Sequence, residues 1–521
     1  MRNIEQRIKN QEVIMKKILR NTGLLAIAFT LSFSCKNLEE QPDFASPASF
    51  YKDEKDMEAA INGAYRPLNG QWFNTFYNRS VFECALGIAG GYEKGPQYYE
   101  TGAYVASDEY IDAYWKDNYD GINRANVILD RIAGVPKDKI SDAKRTRIMG
   151  EAHFLRALYL YQVYIYFENV PVPDKSTTAL GVNVSNDGGK AKALALMEAD
   201  LKAAETELPA QNAAADLGRA SRWAAKTLLA KVYLEAGKWN EAATKAKEVI
   251  DQSGVTLFSD FADVFSVEKE NTGERFFEIQ NDFATSPWAN YNNMHAHFTP
   301  TDWDGGNPNT LDVGDNVTAA GWGDAWIVGD IGFRSKFEAG DKRIPVTFME
   351  QYRSKNAGGA VVRFDPKAKS GFVAPNSPER TFNNVILQKN IEYKIGGWQY
   401  TKKNYMLLRL SDALLAHSEA VANGASGDGL FGINTVRARA GLRALSGVSG
   451  QALKDAVFNE WLREFAGEGW AFPTARRFNK TADVIKEFAG RTVDNAKFRV
   501  LPLPLVEINA NKSVSQNKGW E

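Results

Sequence analysis

The chain has 521 residues, of which 63 are lysine or arginine and 64 are aspartate or glutamate, so its formal net charge is −1. This balance gives no electrostatic reason to expect a nucleic-acid binder. Hydrophobic residues make up 44% of the chain and only one apolar run approaches membrane length, which excludes a disordered, collagen-like or polytopic membrane protein. Two cysteines, Cys35 and Cys84, cannot build a disulfide framework or a multi-thiolate zinc site.

The segment 15–35 has the order of an export signal. Three basic residues precede an apolar run over 23–33, and the small Ser34 stands directly before Cys35. Charged, then apolar, then small is the order of a secretory signal. The run is too short to span a bilayer, which takes about 20 residues.

The cysteine at the end of this segment resembles that of a bacterial lipoprotein signal, which is lipidated and becomes the mature N-terminus. We therefore predict a signal peptide over 1–34, with its true start at Met15, and a lipidated tether over 35–45. An ordinary signal peptide followed by an incidental Cys35 remains the alternative. Cys84 is expected to be a small buried apolar residue.

Helical spacing dominates the rest of the chain. Apolar positions recur at three- and four-residue steps over 145–167, 220–236, 238–250 and 405–422. The second and third segments meet at Gly237, and small residues on both allow two antiparallel helices to approach, as in a tetratricopeptide-type pair. One such pair cannot bury both of its faces, so the other helices are expected to stack on it.

Between these helices the composition changes. Residues 281–330 are rich in Gly, Asn, Asp and Trp without a stable period, which predicts long ordered loops. A short strand or hairpin is expected within 377–397. No linker divides the mature chain, so we predict a single domain over 46–521. Its fold class is all-α, a tetratricopeptide-like helical scaffold with long loop-rich insertions, chiefly an aromatic-rich one at about 281–400.

Seven motifs, taken together, resemble the SusD/RagB family of outer-membrane nutrient-binding lipoproteins. They follow the family's order over nearly the whole mature chain. They are WKDNYDGINRANVIL (115–129), GEAHFLRALYLYQVYIYFENVPVP (150–173), RASRWAAKTLLAKVYLEAGKWNEA (219–242), LRLSDALLAHSEAVANG (408–424), INTVRARAGL (433–442), LPLPLVEINAN (501–511) and QNKGW (516–520).

The resemblance implies a non-catalytic protein that binds a nutrient, most often a glycan, and delivers it to a SusC-like TonB-dependent transporter. It also implies a lipid anchor in the outer membrane with the protein facing the cell exterior, since the acidic tether after Cys35 resembles a surface-export signal. One region departs from the family pattern, at Trp461, Ala471 and Thr474. There an Arg–carboxylate pair of the family is expected to be replaced by an apolar corner.

Sugar capture calls for flat apolar platforms against pyranose rings and for carboxylates and amides that bind hydroxyls. Aromatic and polar residues of the loop-rich segment, and a tyrosine cluster among glycines, fit this requirement. The alternative is that these rings only attach loops to the scaffold. The ligand-binding candidates are Trp288, Trp303, Trp322, Trp326, Tyr92, Tyr98, Tyr99, Tyr104, Asp302, Asp304 and Asn307.

Other chemistries are less well supported by the sequence. His295 and His297 lack an evident third metal ligand, and the run DWDGGN (302–307) lacks the distal bidentate Glu of a calcium loop, so no metal and no cofactor is expected. A peptide ligand remains an alternative. A surface glycosidase is a weaker one, because Asp302 and Asp304 could not straddle a glycosidic bond, and no catalytic residue is assigned.

Overall fold

Helices make up the body of the fold and short strands join them, as the predicted all-α class requires. A computed structural model of the chain describes residues 50–69, 75–91, 94–177, 183–281, 294–300, 302–315, 327–368, 381–382, 384–395 and 401–521. The helices are α1 (Glu54–Tyr65), α2 (Thr75–Cys84), α3 (Lys94–Thr101), α4 (Glu109–Ile132), α5 (Asp142–Phe167), α6 (Gly189–Glu207), α7 (Arg222–Glu235), α8 (Trp239–Gln252), α9 (Met294–Phe298), α10 (Ile331–Arg334), α11 (Ile344–Thr347), α12 (Leu410–Ala422), α13 (Gly429–Arg439), α14 (Gly450–Glu464), α15 (Ala471–Arg477), α16 (Thr481–Ala489), α17 (Asn495–Phe498) and α18 (Leu505–Ala510).

The strands are few in residues and lie between the helices. They are β1 (Ala89–Gly91), β2 (Arg275–Ile279), β3 (Ile327–Gly329), β4 (Phe348–Met349), β5 (Gln351–Ser354), β6 (Ala360–Phe364), β7 (Thr381–Phe382), β8 (Val385–Leu387) and β9 (Tyr405–Arg409). Short 3₁₀ helices lie at Arg66–Asn69, Ala214–Asp216, Phe261–Phe265 and Val267–Lys269.

The central helix is α5, which confirms the helix predicted over 145–167. It begins after the N-cap Ser141, whose hydroxyl accepts a hydrogen bond from the N–H of Lys144 and satisfies a donor of the first turn. Every side chain from 154 to 167 is buried, including Arg156, whose guanidinium group pairs with Asp200 at 2.6 Å. Pro171 follows shortly after the end of α5, and proline cannot continue a helix.

The predicted helix pair is formed by α7 and α8. Gly237 between them has a φ of +67°, a conformation that glycine adopts without steric cost. Ala230 and Ala242 are fully buried, where their small side chains let the two helices approach. Helix α7 also contacts α6, and α8 contacts α12, so each helix buries a second face against a neighbour. The tetratricopeptide-like scaffold is thereby confirmed.

The segment predicted as one helix over 405–422 is a strand followed by a helix. Strand β9 pairs antiparallel with β2, and the five side chains of each are buried. Buried backbone donors and acceptors need partners, and the neighbouring strand supplies them. The side chain of Asp412 accepts a hydrogen bond from the N–H of Arg409 where α12 begins. The helix prediction for 405–409 is wrong because long-range pairing outweighs local periodicity.

The remaining strands form two small sheets. One has the order β1-β3-β8-β4 with every neighbouring pair antiparallel. The other has the order β5-β6-β7. The strand expected within 377–397 is confirmed as β7 and β8, which belong to different sheets and therefore do not form a hairpin with each other.

A buried ionic network lies beside the start of α12 and the C-terminal end of α14. The Nη1 atom of Arg343 donates to Glu460 at 2.6 Å. Arg439 donates through Nη2 to Glu464, and Arg409 donates through Nη1 to Glu468. We use the name ionic network for Arg343, Arg409, Arg439, Glu460, Glu464 and Glu468, all of which are buried.

The positions expected to form an apolar corner, Trp461, Ala471 and Thr474, are buried, but the carboxylates of α14 beside Trp461 are paired with arginines. The guanidinium groups that pair with the carboxylates of α14 and Glu468 come from distant parts of the chain, which local sequence does not show. The ring of Trp461 stacks on Phe465 at a centroid distance of 5.1 Å, next to this network. The N–H of Ala471 donates to the carboxylate of Glu83 at 2.8 Å.

The residues Lys52–Glu521 form one compact unit. Within the described ranges, none of the helices has both the length and the apolar character needed to cross a membrane. Cys84 is fully buried in α2, and burial raises the pKa of its thiol, which confirms the predicted packing position.

Candidate functional site

One end of the four-stranded sheet gathers segments that are distant in sequence. Gly91, the last residue of β1, lies opposite Ile327, the first residue of β3. Leu387, the last residue of β8, lies opposite Phe348, the first residue of β4. The register of β3 against β8 places all four residues at the same end of the sheet. We call this the sheet end.

Two predicted aromatic clusters are connected to the sheet end by the chain itself. In the sequence, residue 92 directly follows Gly91 and residue 326 directly precedes Ile327. Five predicted residues lie outside the described part of the chain, and their roles stay predictions. They are Cys35, Tyr92, Trp288, Trp322 and Trp326.

Three other predicted aromatics are buried, namely Trp303, Tyr99 and Tyr104. The indole Nε1 of Trp303 donates to the carbonyl of Gly306 at 3.0 Å. The rings of Tyr99 and Tyr104 stack with a centroid distance of 4.6 Å. These contacts attach loops to the scaffold, which is the alternative that the sequence left open. Contact of these rings with a ligand stays a prediction.

Tyr98 differs from the tyrosines beside it because its side chain is 49% exposed. It lies on α3, and this helix contacts β1. The next residue, Tyr99, instead donates its hydroxyl to Asp108 at 2.9 Å inside the fold. Among the described aromatic candidates, Tyr98 presents the ring that a ligand can reach.

The predicted carboxylates Asp302 and Asp304 are buried and hold a tight loop against β5. The carboxylate of Asp302 accepts hydrogen bonds from the hydroxyls of Tyr352, at 2.9 Å, and Ser354. The carboxylate of Asp304 accepts from the N–H of Gly306 at 2.9 Å and from a second glycine of the same loop. Both carboxylates are thus engaged in loop structure.

A cleft of about 340 Å³ opens beside the sheet end. Its walls come from the residues that follow β8, those that precede β4, and the 3₁₀ helices near 262–268. Small-molecule sites have volumes of roughly 300–1,000 Å³. The predicted residue Asn307 lines it, and its side-chain oxygen accepts from the N–H of Asn309. We call this the end cleft, and its polar lining includes Glu268, Asn307, Gln388, Glu392, Tyr393 and Lys403.

Two lysines in the wall of the end cleft are committed to protein groups. The Nζ of Lys403 donates to the carbonyl of Ile391 at 3.1 Å. The Nζ of Lys389 donates to Glu468 of the ionic network at 2.8 Å. Burial lowers the pKa of each lysine to about 8. The end cleft therefore adjoins the ionic network through Lys389.

The acidic and phenolic groups of the end cleft have different surroundings. A hydrogen bond from Ser266 lowers the pKa of the Glu268 carboxyl. Partial burial raises the pKa of Glu392, although Lys403 and Lys402 oppose this effect. Burial raises the pKa of Tyr393 to about 12, so its hydroxyl stays protonated and can donate.

His295 and His297 lie on the short helix α9, and both are buried. The Nδ1 of His295 accepts a hydrogen bond from the N–H of Glu392 at 3.3 Å. Burial lowers the pKa of His297 to about 3, and its ring lies 4.1 Å from that of Tyr77. In the part of the chain that the structure describes, no group of three or more His, Cys, Asp or Glu side chains could hold a metal ion.

Comparison with known proteins matches the chain to two family models. One, described as "Starch-binding associating with outer membrane", matches residues 36–234, and the other, described as "SusD family", matches residues 288–520. The chain belongs to the SusD/RagB family. This confirms the resemblance carried by the seven sequence motifs.

Relatives of this SusD/RagB chain extend over most of its length. A SusD-like protein of Formosa agariphila is 26% identical over 537 residues, which cover 94% of this chain and 97% of that protein. The starch-binding protein SusD of Bacteroides thetaiotaomicron is 24% identical and covers 78% of each chain.

Solved structures support the same architecture for the SusD/RagB chain. A laminarin-binding SusD-like protein superposes with a TM-score of 0.74 at 24% identity, covering 90% of this chain and 100% of that one. Surface glycan-binding protein A of Bacteroides thetaiotaomicron, in complex with laminarihexaose, superposes with a TM-score of 0.69 at 20% identity, covering 89% of this chain and 99% of that one. These likenesses show the fold.

Glu392 and Tyr393 of this SusD/RagB chain are residues of the candidate site that the sequence did not predict. They follow the buried strand β8, and the short apolar run VIL before polar QKN is their sequence signal. A run of three residues is too short to be distinguished from a loop. Glu392 and Tyr393 line the same cleft as Asn307 and Glu268, which lie more than 75 residues earlier in the chain. Only the tertiary structure brings these segments together.

Proposed function

We propose that this protein is a non-catalytic surface lipoprotein that binds a glycan and delivers it to a SusC-like TonB-dependent transporter in the outer membrane. One observation carries the proposal. The end cleft, of about 340 Å³, opens beside the sheet end, and carboxylate, amide and phenol groups line it. These polar groups suit the hydroxyls of a sugar, and the aromatic residues predicted from the sequence suit its apolar ring faces.

The names of the relatives support a glycan as the ligand class. One solved neighbour is described as laminarin binding, another was solved with laminarihexaose, and a curated relative is a starch-binding protein. A peptide is the competing ligand, because aromatic-lined loops can also hold peptides.

The hydrogen bonds of Asp302 and Asp304 favour binding without turnover. A glycosidase needs two carboxyl groups about 5–9 Å apart on opposite sides of the bond that it cleaves. Here both carboxylates are buried and accept hydrogen bonds from the loop and from β5. Neither is placed to exchange a proton with a bound sugar.

Calorimetric titration of the chain from residue 36 onward tests the ligand class. The titrants are neutral, uronic and sulfated oligosaccharides, including laminarihexaose, together with a set of peptides. We expect saturable binding of at least one oligosaccharide and no shorter products by chromatography. Binding of peptides alone would establish the competing ligand, and release of shorter sugars would establish an enzyme.

Substitution of the loop aromatics tests where the glycan binds. Trp322→Ala, Trp326→Ala and Tyr92→Ala should each weaken binding by about 10-fold or more, as expected for loss of an aromatic anchor. Phe431→Ala is the matched control, because Phe431 is a 41% exposed ring on α13. Equal affinities for all four variants would contradict a binding role for these loops.

Membrane fractionation tests the anchor. Cys35→Ala should move the protein from the membrane to the soluble fraction, and Cys84→Ala should leave it in the membrane fraction. Retention of the Cys35→Ala protein in membranes would contradict lipidation at this residue. Co-purification tests the transporter partner. The lipidated protein, solubilised from outer membranes, should purify together with a TonB-dependent transporter in a fixed ratio. If the protein purified without a transporter, the proposed partner would be contradicted.

A further inference from the structure

One carboxylate of the end cleft has a buried oxygen without a hydrogen-bond partner. Among the described residues, the Oε2 atom of Glu392 has no hydrogen-bond partner and the carboxylate forms no ion pair. A buried polar group without a partner carries a desolvation penalty, so each such group in a native structure calls for an explanation. A ligand that donates hydrogen bonds into the cleft would remove the penalty.

The backbone around Glu392 is held in place from three sides. The N–H of Glu392 donates to His295 Nδ1 at 3.3 Å. The side-chain amide of Gln388 donates to the carbonyl of Phe348 at 2.9 Å, and the carbonyl of Ile391 accepts from Lys403. The unpartnered carboxylate is thus a feature of a fixed segment, and side chains held in this way are preorganised to bind.

We propose that the end cleft binds one sugar residue of the glycan, with Glu392 accepting hydrogen bonds from its hydroxyls and Tyr393 contacting its ring. This inference rests on the proposed function and adds a binding site that the loop aromatics do not supply. Asn307 lies in the same lining, and its side-chain NH₂ group can donate to a further hydroxyl.

The charges around the cleft favour a neutral sugar. The carboxylates of Glu392 and Glu268 disfavour an anionic ligand, such as a sulfated or uronic sugar. Lys403 and Lys402 act electrostatically on Glu392. Their positive charges disfavour a cationic amine as the ligand of the cleft. Hydroxyl donors carry no charge and still form strong hydrogen bonds with a carboxylate.

Titration calorimetry of three variants against laminari-, malto-, cello-, manno- and xylohexaose tests the inference. Glu392→Ala and Glu392→Gln should bind the preferred hexasaccharide about 10-fold or more weakly, the loss expected for hydrogen bonds to a charged group. Glu241→Gln is the matched control, because Glu241 is exposed at the start of α8. The melting temperature of Glu392→Gln should equal or exceed that of the wild type, which a merely structural carboxylate would not permit.

Each outcome has one meaning. Weaker binding by both Glu392 variants with unchanged binding by Glu241→Gln supports the inference. If the wild type binds a hexasaccharide and both Glu392 variants bind it with an affinity within about 2-fold of the wild type, the inference is overturned. The proposed function then still stands. Failure of the wild type to bind any hexasaccharide or other glycan overturns the proposed function and the inference with it.

Discussion

The ionic network and the end cleft are adjoining regions that differ in whether their buried carboxylate oxygens have partners. In the network, Glu464 accepts a hydrogen bond from Arg439 and lies 3.3 Å from Nη1 of Arg343. In the cleft, Glu392 has a buried oxygen without a hydrogen-bond partner. Lys389 joins the two, because its side chain lines the cleft and donates to Glu468.

The difference separates charges that hold the fold from a charge that is free for a ligand. A buried carboxylate with several guanidinium partners is satisfied by the protein, and removing it leaves those partners uncompensated. A buried carboxylate oxygen without a partner contributes nothing to the fold, and removing it relieves a penalty. Substitutions in the two regions should therefore change stability in opposite directions.

The largest effect is expected in the network. Glu464→Gln should lower the free energy of unfolding by roughly 3–5 kcal/mol, because a buried ion pair loses one partner. Urea unfolding at neutral pH measures the change. Asp251→Asn is the control, since its pair with Lys247 is about half exposed and should contribute roughly 1 kcal/mol or less. Equal losses in the two variants would contradict the structural role of the network.

A loss of similar size is expected from the buried indole of Trp303. Trp303→Ala should lower the free energy of unfolding by about 3–5 kcal/mol through the cavity that it leaves. Tyr98→Ala, which removes a 49% exposed ring, should change it by about 0.5 kcal/mol or less. Thermal and urea unfolding distinguish the two. If Trp303→Ala were as stable as Tyr98→Ala, the ring would not be a packing element.

The pH dependence of stability sharpens the comparison. Burial by itself raises the pKa of Glu464, but Arg439, Arg409 and Arg343 outweigh it and lower the pKa to about 2. Because this pKa lies below the ordinary value of 4.5, the stabilisation is present above that value and is lost as the pH falls toward 2. Wild-type protein should lose about 3 kcal/mol more than Glu464→Gln over this range. Parallel pH profiles would contradict the assignment.

The smallest effect, of opposite sign, is expected in the cleft. Partial burial raises the pKa of Glu392 above 4.5, so its contribution to stability is present below that value and is lost as the pH rises. Glu392→Gln should therefore melt at a slightly higher temperature than the wild type at pH values near 7, and the difference should vanish at about pH 4. Scanning calorimetry at the two pH values measures it. A lower melting temperature near neutrality would show that the fold needs this carboxylate.

The helices were predictable because their signals are local. The apolar spacing of α5 and the Gly237 turn between α7 and α8 are readable within one or two helical turns. Strand β9 was not predictable, since its backbone partner β2 lies about 130 residues earlier in the chain. The burial of Trp303 was not predictable for a related reason, because a tryptophan among Asp and Gly has the composition of a binding loop and only its tertiary contacts show that it is buried.

The sequence by itself determined the family, the helical scaffold and the kinds of side chain that a sugar site would use. These depend on residue types and on spacings within one segment. Only the tertiary structure decided which strands meet at the sheet end, which carboxylates the arginines satisfy, and that Glu392 and Asn307 line the same end cleft. These features depend on contacts between distant segments, and a single sequence does not encode those distances in any local pattern.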